Sequence, residues 1–121
     1  MKNPGPDHPI AIVPHPNRLR ISVGGVVLAD TTRALTLREA SYPPVHYIPR
    51  DDANMAVLAR SARVTHCPYK GDASYYSIDA GGTAIADAIW SYEQPFPAMA
   101  EIEGYLAFYP DKVEIEDVPA D

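Results

Sequence analysis

The stretch Arg18-Leu19-Arg20-Ile21-Ser22-Val23-Gly24-Gly25-Val26-Val27-Leu28-Ala29-Asp30 decides the fold class. Leu19, Ile21 and Val23 alternate with Arg18, Arg20 and Ser22, which is the period of a half-buried strand. Gly24-Gly25 supplies the positive φ angles of a two-residue hairpin turn. The chain then returns over Val26 to Asp30, with Val26 expected opposite Val23 and Leu28 opposite Ile21.

Downstream, Ala34 to Glu39 reads as a third strand, Leu35 and Leu37 inward and Thr36 and Arg38 outward. Pro43-Pro44 stiffens the connection to a short strand over Val45 to Ile48. Asp51 or Asp52 is placed to cap one short helix near 52–60, in which Met55 and Leu58 share a face. Val64 to Cys67 runs extended, and Ala73 to Ile78 and Thr83 to Tyr92 are strands joined at Gly81-Gly82. In the second of these Ala84, Ala86, Ala88 and Trp90 are expected on one face, the small alanines leaving room beside the indole. Met99 to Glu103 suits a helical turn. Gly104 to Tyr109 and Lys112 to Val118 read as a closing hairpin about Pro110-Asp111. Upstream, Ile10 to Val13 is a candidate edge strand, and the Pro-rich residues 1–9 are an irregular lead-in across the surface. Residues 1–121 therefore read as one mainly β domain.

Composition narrows the function. A formal charge of −6, with ten Lys and Arg that form no run, argues against nucleic acid as a partner. The single cysteine excludes an internal disulfide. No apolar stretch nears the ~20 residues of a membrane helix, and no basic segment precedes an N-terminal apolar run, so a cytoplasmic protein without membrane contact is expected. No P-loop or dinucleotide fingerprint occurs, and His8, His15, His46 and His66 lack metal-ligand spacing, so neither a cofactor nor a metal is expected.

Chemistry concentrates in Thr65-His66-Cys67-Pro68-Tyr69-Lys70-Gly71-Asp72-Ala73-Ser74-Tyr75-Tyr76. Cys67 is a candidate nucleophile or redox thiol with Lys70 nearby to favour the thiolate; the plain alternative is a small core residue. His66 is a poor base for it, because adjacent strand residues point to opposite sides. Lys70 is either an anion anchor beside the Gly71 and Asp72 amides or a solvated turn lysine. Tyr47, Tyr69, Tyr75, Trp90 and Tyr92 are candidates for an aromatic-walled pocket, with Arg38 and Arg50 as anion clamps. The competing reading makes these aromatics sheet core. Glu39 and Glu93 are a conceivable acid/base pair that nothing in the sequence brings together.

Several of these pieces form a pattern: Leu37-Arg38-Glu39-Ala40, Tyr47-Ile48-Pro49-Arg50-Asp51-Asp52, Cys67-Pro68-Tyr69-Lys70-Gly71, Ala73-Ser74-Tyr75-Tyr76, Trp90-Ser91-Tyr92-Glu93 and Ala107-Phe108-Tyr109. With them the chain resembles the domain of unknown function 427 family over most of its length. The resemblance implies a β-tent architecture, two antiparallel sheets meeting at a steep angle. Relatives of that architecture often hold zinc through paired Cys-x-x-Cys motifs, which a single cysteine cannot provide. The family also carries a nucleotidyltransferase-like label. The residues do not support it, for no Gly-Ser turn precedes a close Asp pair able to hold Mg²⁺.

Three functions remain. The first is a domain that binds a small anionic or aromatic molecule between its sheets, through Arg38, Tyr47, Arg50, Tyr69, Lys70, Trp90 and Tyr92. The second is an enzyme acting covalently through Cys67 or Lys70. The third is an interaction module using exposed tyrosines and an open sheet edge.

Overall fold

The computed structural model describes residues 1–119. Ten strands follow in order: β1 (Ile10–Pro14), β2 (Arg18–Val23), β3 (Val26–Thr31), β4 (Leu35–Glu39), β5 (Val45–Tyr47), β6 (Leu58–Cys67), β7 (Gly71–Ala80), β8 (Thr83–Ser91), β9 (Ala107–Phe108) and β10 (Glu114–Val118). They form three antiparallel sheets, ordered β1-β4-β5, β10-β2-β3 and β6-β7-β8-β9. The protein is mainly β, with three sheets where the family resemblance implied two.

The hairpin β2–β3 closes at Val23 and Val26 as expected, but Ala29, not Leu28, lies opposite Ile21. A bulge at Ile21/Ser22 is responsible. It removes the strict alternation of the return strand, so Leu28 and its neighbour Ala29 are both buried.

No α-helix forms over 52–60. Two 3₁₀ turns, Arg50–Asp52 and Met55–Val57, lead directly into β6. Leu58, Ala59 and Arg60 pair with Ile78, Ser77 and Tyr76. Two turns of helix are too short to persist alone, whereas pairing on β7 joins this segment to the largest sheet. Asp52 is not a cap: it accepts from the Thr31 hydroxyl at 2.7 Å and from Arg33 at 3.0 Å. Asn54 takes the capping role, accepting from the Ala56 N–H at 3.3 Å.

The C-terminal segments do not pair with each other. β9 pairs with β8, Trp90 opposite Ala107, while β10 crosses to β2, Ile115 opposite Ile21. In β8 the alternation breaks at Asp87, whose φ is +50° and whose N–H is held by the Ser77 hydroxyl at 3.0 Å. Ala84 and Ala86 are consequently exposed and Ala88 enters the core, so the alanines do not make room beside Trp90. Thr36, expected outward, is buried against His46, its hydroxyl 2.9 Å from Nδ1.

Two cores result, divided by β7. Tyr76 and Ile78 point into one with Leu19, Ile21, Leu28 and Ile48. Ala73 and Tyr75 point into the other with Leu37, Tyr47, Tyr92 and Met99. The sheets are tied by a reciprocal bridge: Ile48 N–H donates to Leu106 C=O and Leu106 N–H to Ile48 C=O, both at 2.8 Å. The long outer strand β6 has an irregular register between Arg60 and Val64 and carries Arg60 and Arg63, two devices that discourage edge pairing.

Ile48 is fully buried at this bridge. Ile48→Ala is expected to cost about 2–5 kcal/mol, as deletion of a large core side chain does, measured by urea unfolding. A loss under about 1 kcal/mol would show that the bridge does not hold the sheets together.

Candidate functional site

A cleft of about 890 Å³ opens between the β4–β5 edge and the sheet containing β7 and β8. Its inner wall is Tyr47 on β5, Tyr75 on β7, Trp90 on β8, and Tyr92 just beyond β8. Tyr109 stands against Trp90 with ring centroids 4.6 Å apart. Tyr42, Pro43 and Pro44 line another part, and Tyr42 is largely exposed. The Trp90 indole N–H donates to the Tyr47 hydroxyl at 3.3 Å, and the two rings meet edge to face. Alternation along the strands builds this wall. Tyr75 and Tyr76 are neighbours and so point to opposite cores.

One end of the cleft is polar. Lys70 is buried, with 6% of the residue exposed, and its ammonium donates to Glu39. It also lies 3.8 Å from Cys67 Sγ. The second Glu39 oxygen accepts from His8 Nε2 at 2.7 Å, and the His8 ring stacks on Tyr69 at 4.0 Å. Burial works to raise the Glu39 carboxyl pKa, but the hydrogen bonds from Lys70 and His8 outweigh it and hold it below its ordinary 4.5. Burial pushes the Tyr47 and Tyr92 phenols well above theirs. It also raises Tyr109, to about 12, with help from Tyr75.

The turn that carries Lys70 is set by Gly71. Its φ of +114° is closed to L side chains, and a Cβ there would stand 3.5 Å from Gln94 O and Phe96 N. The Lys70 carbonyl accepts from Phe96 N–H at 2.9 Å. With the turn anchored on both sides, the lysine is directed inward and is not the solvated residue its position in a turn allowed.

Five of the seven candidate ligand residues, Tyr47, Tyr69, Lys70, Trp90 and Tyr92, line this one cleft together with Cys67. Arg38 and Arg50 do not. Arg38 is exposed on β4, opposite Ala11. Arg50 is spent on another face, donating to Gly104 C=O at 3.0 Å, Tyr76 Oη at 2.9 Å and Glu93 at 3.3 Å. Glu93 belongs to that network with Arg60, so it does not meet Glu39. His66 turns away from Cys67 and bonds Asp72 across the β6–β7 pair at 2.8 Å. Among the described residues no three His, Cys, Asp or Glu side chains converge as a metal site, and no helix is long and apolar enough to cross a membrane.

Sequence reasoning missed His8, which sits in the irregular lead-in. That lead-in is fastened by Lys2 N–H to Pro68 C=O at 2.7 Å and by Ala40 N–H to Pro9 C=O at 2.8 Å. Nothing local marks His8, because its partners are Glu39 and Tyr69. Tyr109 was legible only as a strand aromatic.

The fold and the cleft together define a small protein of three antiparallel sheets with an aromatic recess between two of them. Residues 11–119 match the family described as Domain of unknown function (DUF427), and the chain belongs to that family. His8 lies outside the matched segment. No curated protein matches the chain.

Because Glu39 has a depressed pKa, the stability its ion pair contributes is complete above pH 4.5 and is lost as pH falls through the lower folded value. Lys70→Met removes the buried counter-charge. It is expected to raise the Glu39 pKa, read by carboxyl NMR, and to cost about 3–5 kcal/mol at neutral pH. An unmoved Glu39 resonance would show that the pair is not the source of its acidity.

Proposed function

We propose that this protein binds a small, largely aromatic molecule in the cleft between its sheets. The observation that carries this reading is the composition of the cleft: a recess of about 890 Å³, walled by Trp90 and several tyrosines, with a few polar groups gathered at one end. That combination is the usual form of a small-molecule site. The polar end consists of Glu39, Lys70 and His8, joined by hydrogen bonds. Lys70 is already neutralised by Glu39, and Arg38 and Arg50 stand elsewhere. The aromatic side of the expectation is therefore favoured over the anionic one.

The test is a fragment screen by thermal shift and ligand-observed NMR. Aromatic fragments are expected among the hits, Trp90→Ala is expected to lose them, and Arg38→Ala to keep them. Hits unchanged in Trp90→Ala would place binding outside the cleft and remove this reading.

A second reading, covalent chemistry at Cys67, is favoured by the Lys70 ammonium 3.8 Å from its sulfur inside the same cleft. It requires native Cys67 to be alkylated by iodoacetamide before the protein unfolds, and Cys67→Ser to fold but lose any turnover found. A thiol that stays unlabelled until unfolding eliminates it. The interaction-module reading has less support, since the bulge and the arginines of β6 disfavour edge pairing.

A further inference from the structure

The polar end of the cleft already holds a planar ring, and that ring comes from the lead-in. The His8 imidazole lies flat on Tyr69, with ring centroids 4.0 Å apart and planes 6° from parallel. Its Nε2 donates to a Glu39 carboxylate oxygen at 2.7 Å. The other Glu39 oxygen takes the Lys70 ammonium. An aromatic face beneath a ring and a carboxylate at its edge are the two elements that recognise a nitrogen heterocycle. The face stacks the ring, and the carboxylate reads its N–H.

The two partners of His8 are built into the fold. Glu39 ends β4, opposite Ile10, and Tyr69 stands in the turn that Gly71 and Phe96 anchor. The segment that carries His8 is attached more lightly. Residues 1–9 belong to no strand, and none of them enters either core. Backbone bonds near the two ends fasten the segment, Lys2 N–H to Pro68 C=O and Ala40 N–H to Pro9 C=O. The Gly5–His8 bridge closes within the segment itself. Lifting His8 away would therefore uncover the stacking face and the carboxylate without unpacking a core. Glu39, Tyr69 and Lys70 also fall within the family-matched residues 11–119, and His8 does not.

We propose that His8 is a placeholder in a ligand subsite. Tyr69 and Glu39 take a planar nitrogen heterocycle with a ring N–H, of the imidazole or fused-imidazole type, which displaces His8 as it enters. The proposal rests on the small-molecule reading above and names the ligand class of that cleft. The same cleft runs on to Tyr47, Trp90 and Tyr109, so a fused second ring extends from the subsite toward the aromatic wall. Charge selects against acids. A carboxylate in place of the imidazole would stand against the Glu39 oxygen that His8 now faces, and Lys70 already serves the other oxygen.

The experiment compares benzimidazole with 1-methylbenzimidazole, which share a ring system and differ in the N–H, by equilibrium dialysis at neutral pH. Benzimidazole is expected to bind about tenfold tighter, the worth of one hydrogen bond to a charged group. His8→Ala is expected to tighten benzimidazole several-fold further, because the ligand no longer competes with the built-in ring. Tyr69→Ala is expected to weaken it about tenfold through the lost stacking face. In the native protein, the NMR signals of the His8 ring protons, shielded by the stacked Tyr69 ring, are expected to move downfield as benzimidazole saturates. A His8 that only fastens the lead-in would stay in place, and its removal would not tighten binding. Equal affinity for the two probes, unmoved His8 signals at saturation, or no gain in His8→Ala would each overturn the placeholder and leave the aromatic cleft standing. Binding of neither probe would also overturn it. Trp90-dependent hits in the fragment screen would then keep the cleft as a binding site, and their absence would remove both readings. Should His8→Ala not fold, the native His8 signals decide the question.

Discussion

The reciprocal backbone bridge between Ile48 and Leu106 is the joint on which the rest of the molecule depends. Without it the β1-β4-β5 sheet and the β6-β7-β8-β9 sheet would share side-chain packing but no common backbone reference. Two N–H···O=C bonds at 2.8 Å, shielded by fully buried Ile48 and Leu106, fix β5 beside β9. Tyr47 is the residue before Ile48, so its ring is delivered to the opposite side of β5 and meets Trp90 across the gap. The cleft is a consequence of this joint. Two sheets pinned at one line and otherwise separate leave a recess, and the residues next to the pin become its wall.

The recess has an uneven electrostatic character. At one end, Lys70 and Glu39 satisfy each other almost out of contact with solvent, with His8 completing the carboxylate. A buried pair of this kind gives little net stability, yet removing one member is costly. Its role here is to hold the Cys67–Lys70 turn and the end of β4 in one arrangement. The aromatic wall is different: the Trp90 indole donates to the Tyr47 hydroxyl, the Tyr75 hydroxyl pairs with Thr65, and burial pushes the phenols of Tyr47 and Tyr92 well above their ordinary pKa. On the far side of β7 a separate network, Arg50 and Arg60 on Glu93 with Tyr76, seals the other face of the sheet. The arginine that looked like an anion clamp is used there, in closing the fold.

Much of the strand structure was legible because period-two alternation and glycine turns are local signals. Leu19, Ile21 and Val23 with Gly24-Gly25 specify a hairpin wherever they occur. The failures share one cause. Ala53 to Arg60 has the composition of a short helix, but composition carries no record that Ile78, Ser77 and Tyr76 would be waiting as pairing partners. Lys112 to Val118 sits next to Gly104 to Tyr109 along the chain, and adjacency favoured a hairpin; the vacant edge of β2 took the last strand instead. Leu28 and Asp87 mark places where a bulge or a positive φ shifts the register by tertiary demand. At the site, all seven candidates stood in the family pattern; Tyr47, Tyr69, Lys70, Trp90 and Tyr92 share the cleft, whereas Arg38 and Arg50, added for their charge, lie elsewhere.

The sequence by itself determined the mainly β class, the Gly24-Gly25 and Gly81-Gly82 turns and the family, and it grouped Cys67, Lys70 and the neighbouring tyrosines as candidates. These are properties of short stretches, set by backbone conformational preference and by alternation of polarity. Only the tertiary structure decided which side chains share a space. It set Lys70 inward on Glu39, fetched His8 from the lead-in, sent Arg50 to Glu93 and put Tyr92 on the wall of the cleft. Each of those outcomes depends on contacts between residues tens of positions apart. Such contacts are governed by how three sheets pack, a global compromise among burial, hydrogen bonding and charge that no local pattern encodes.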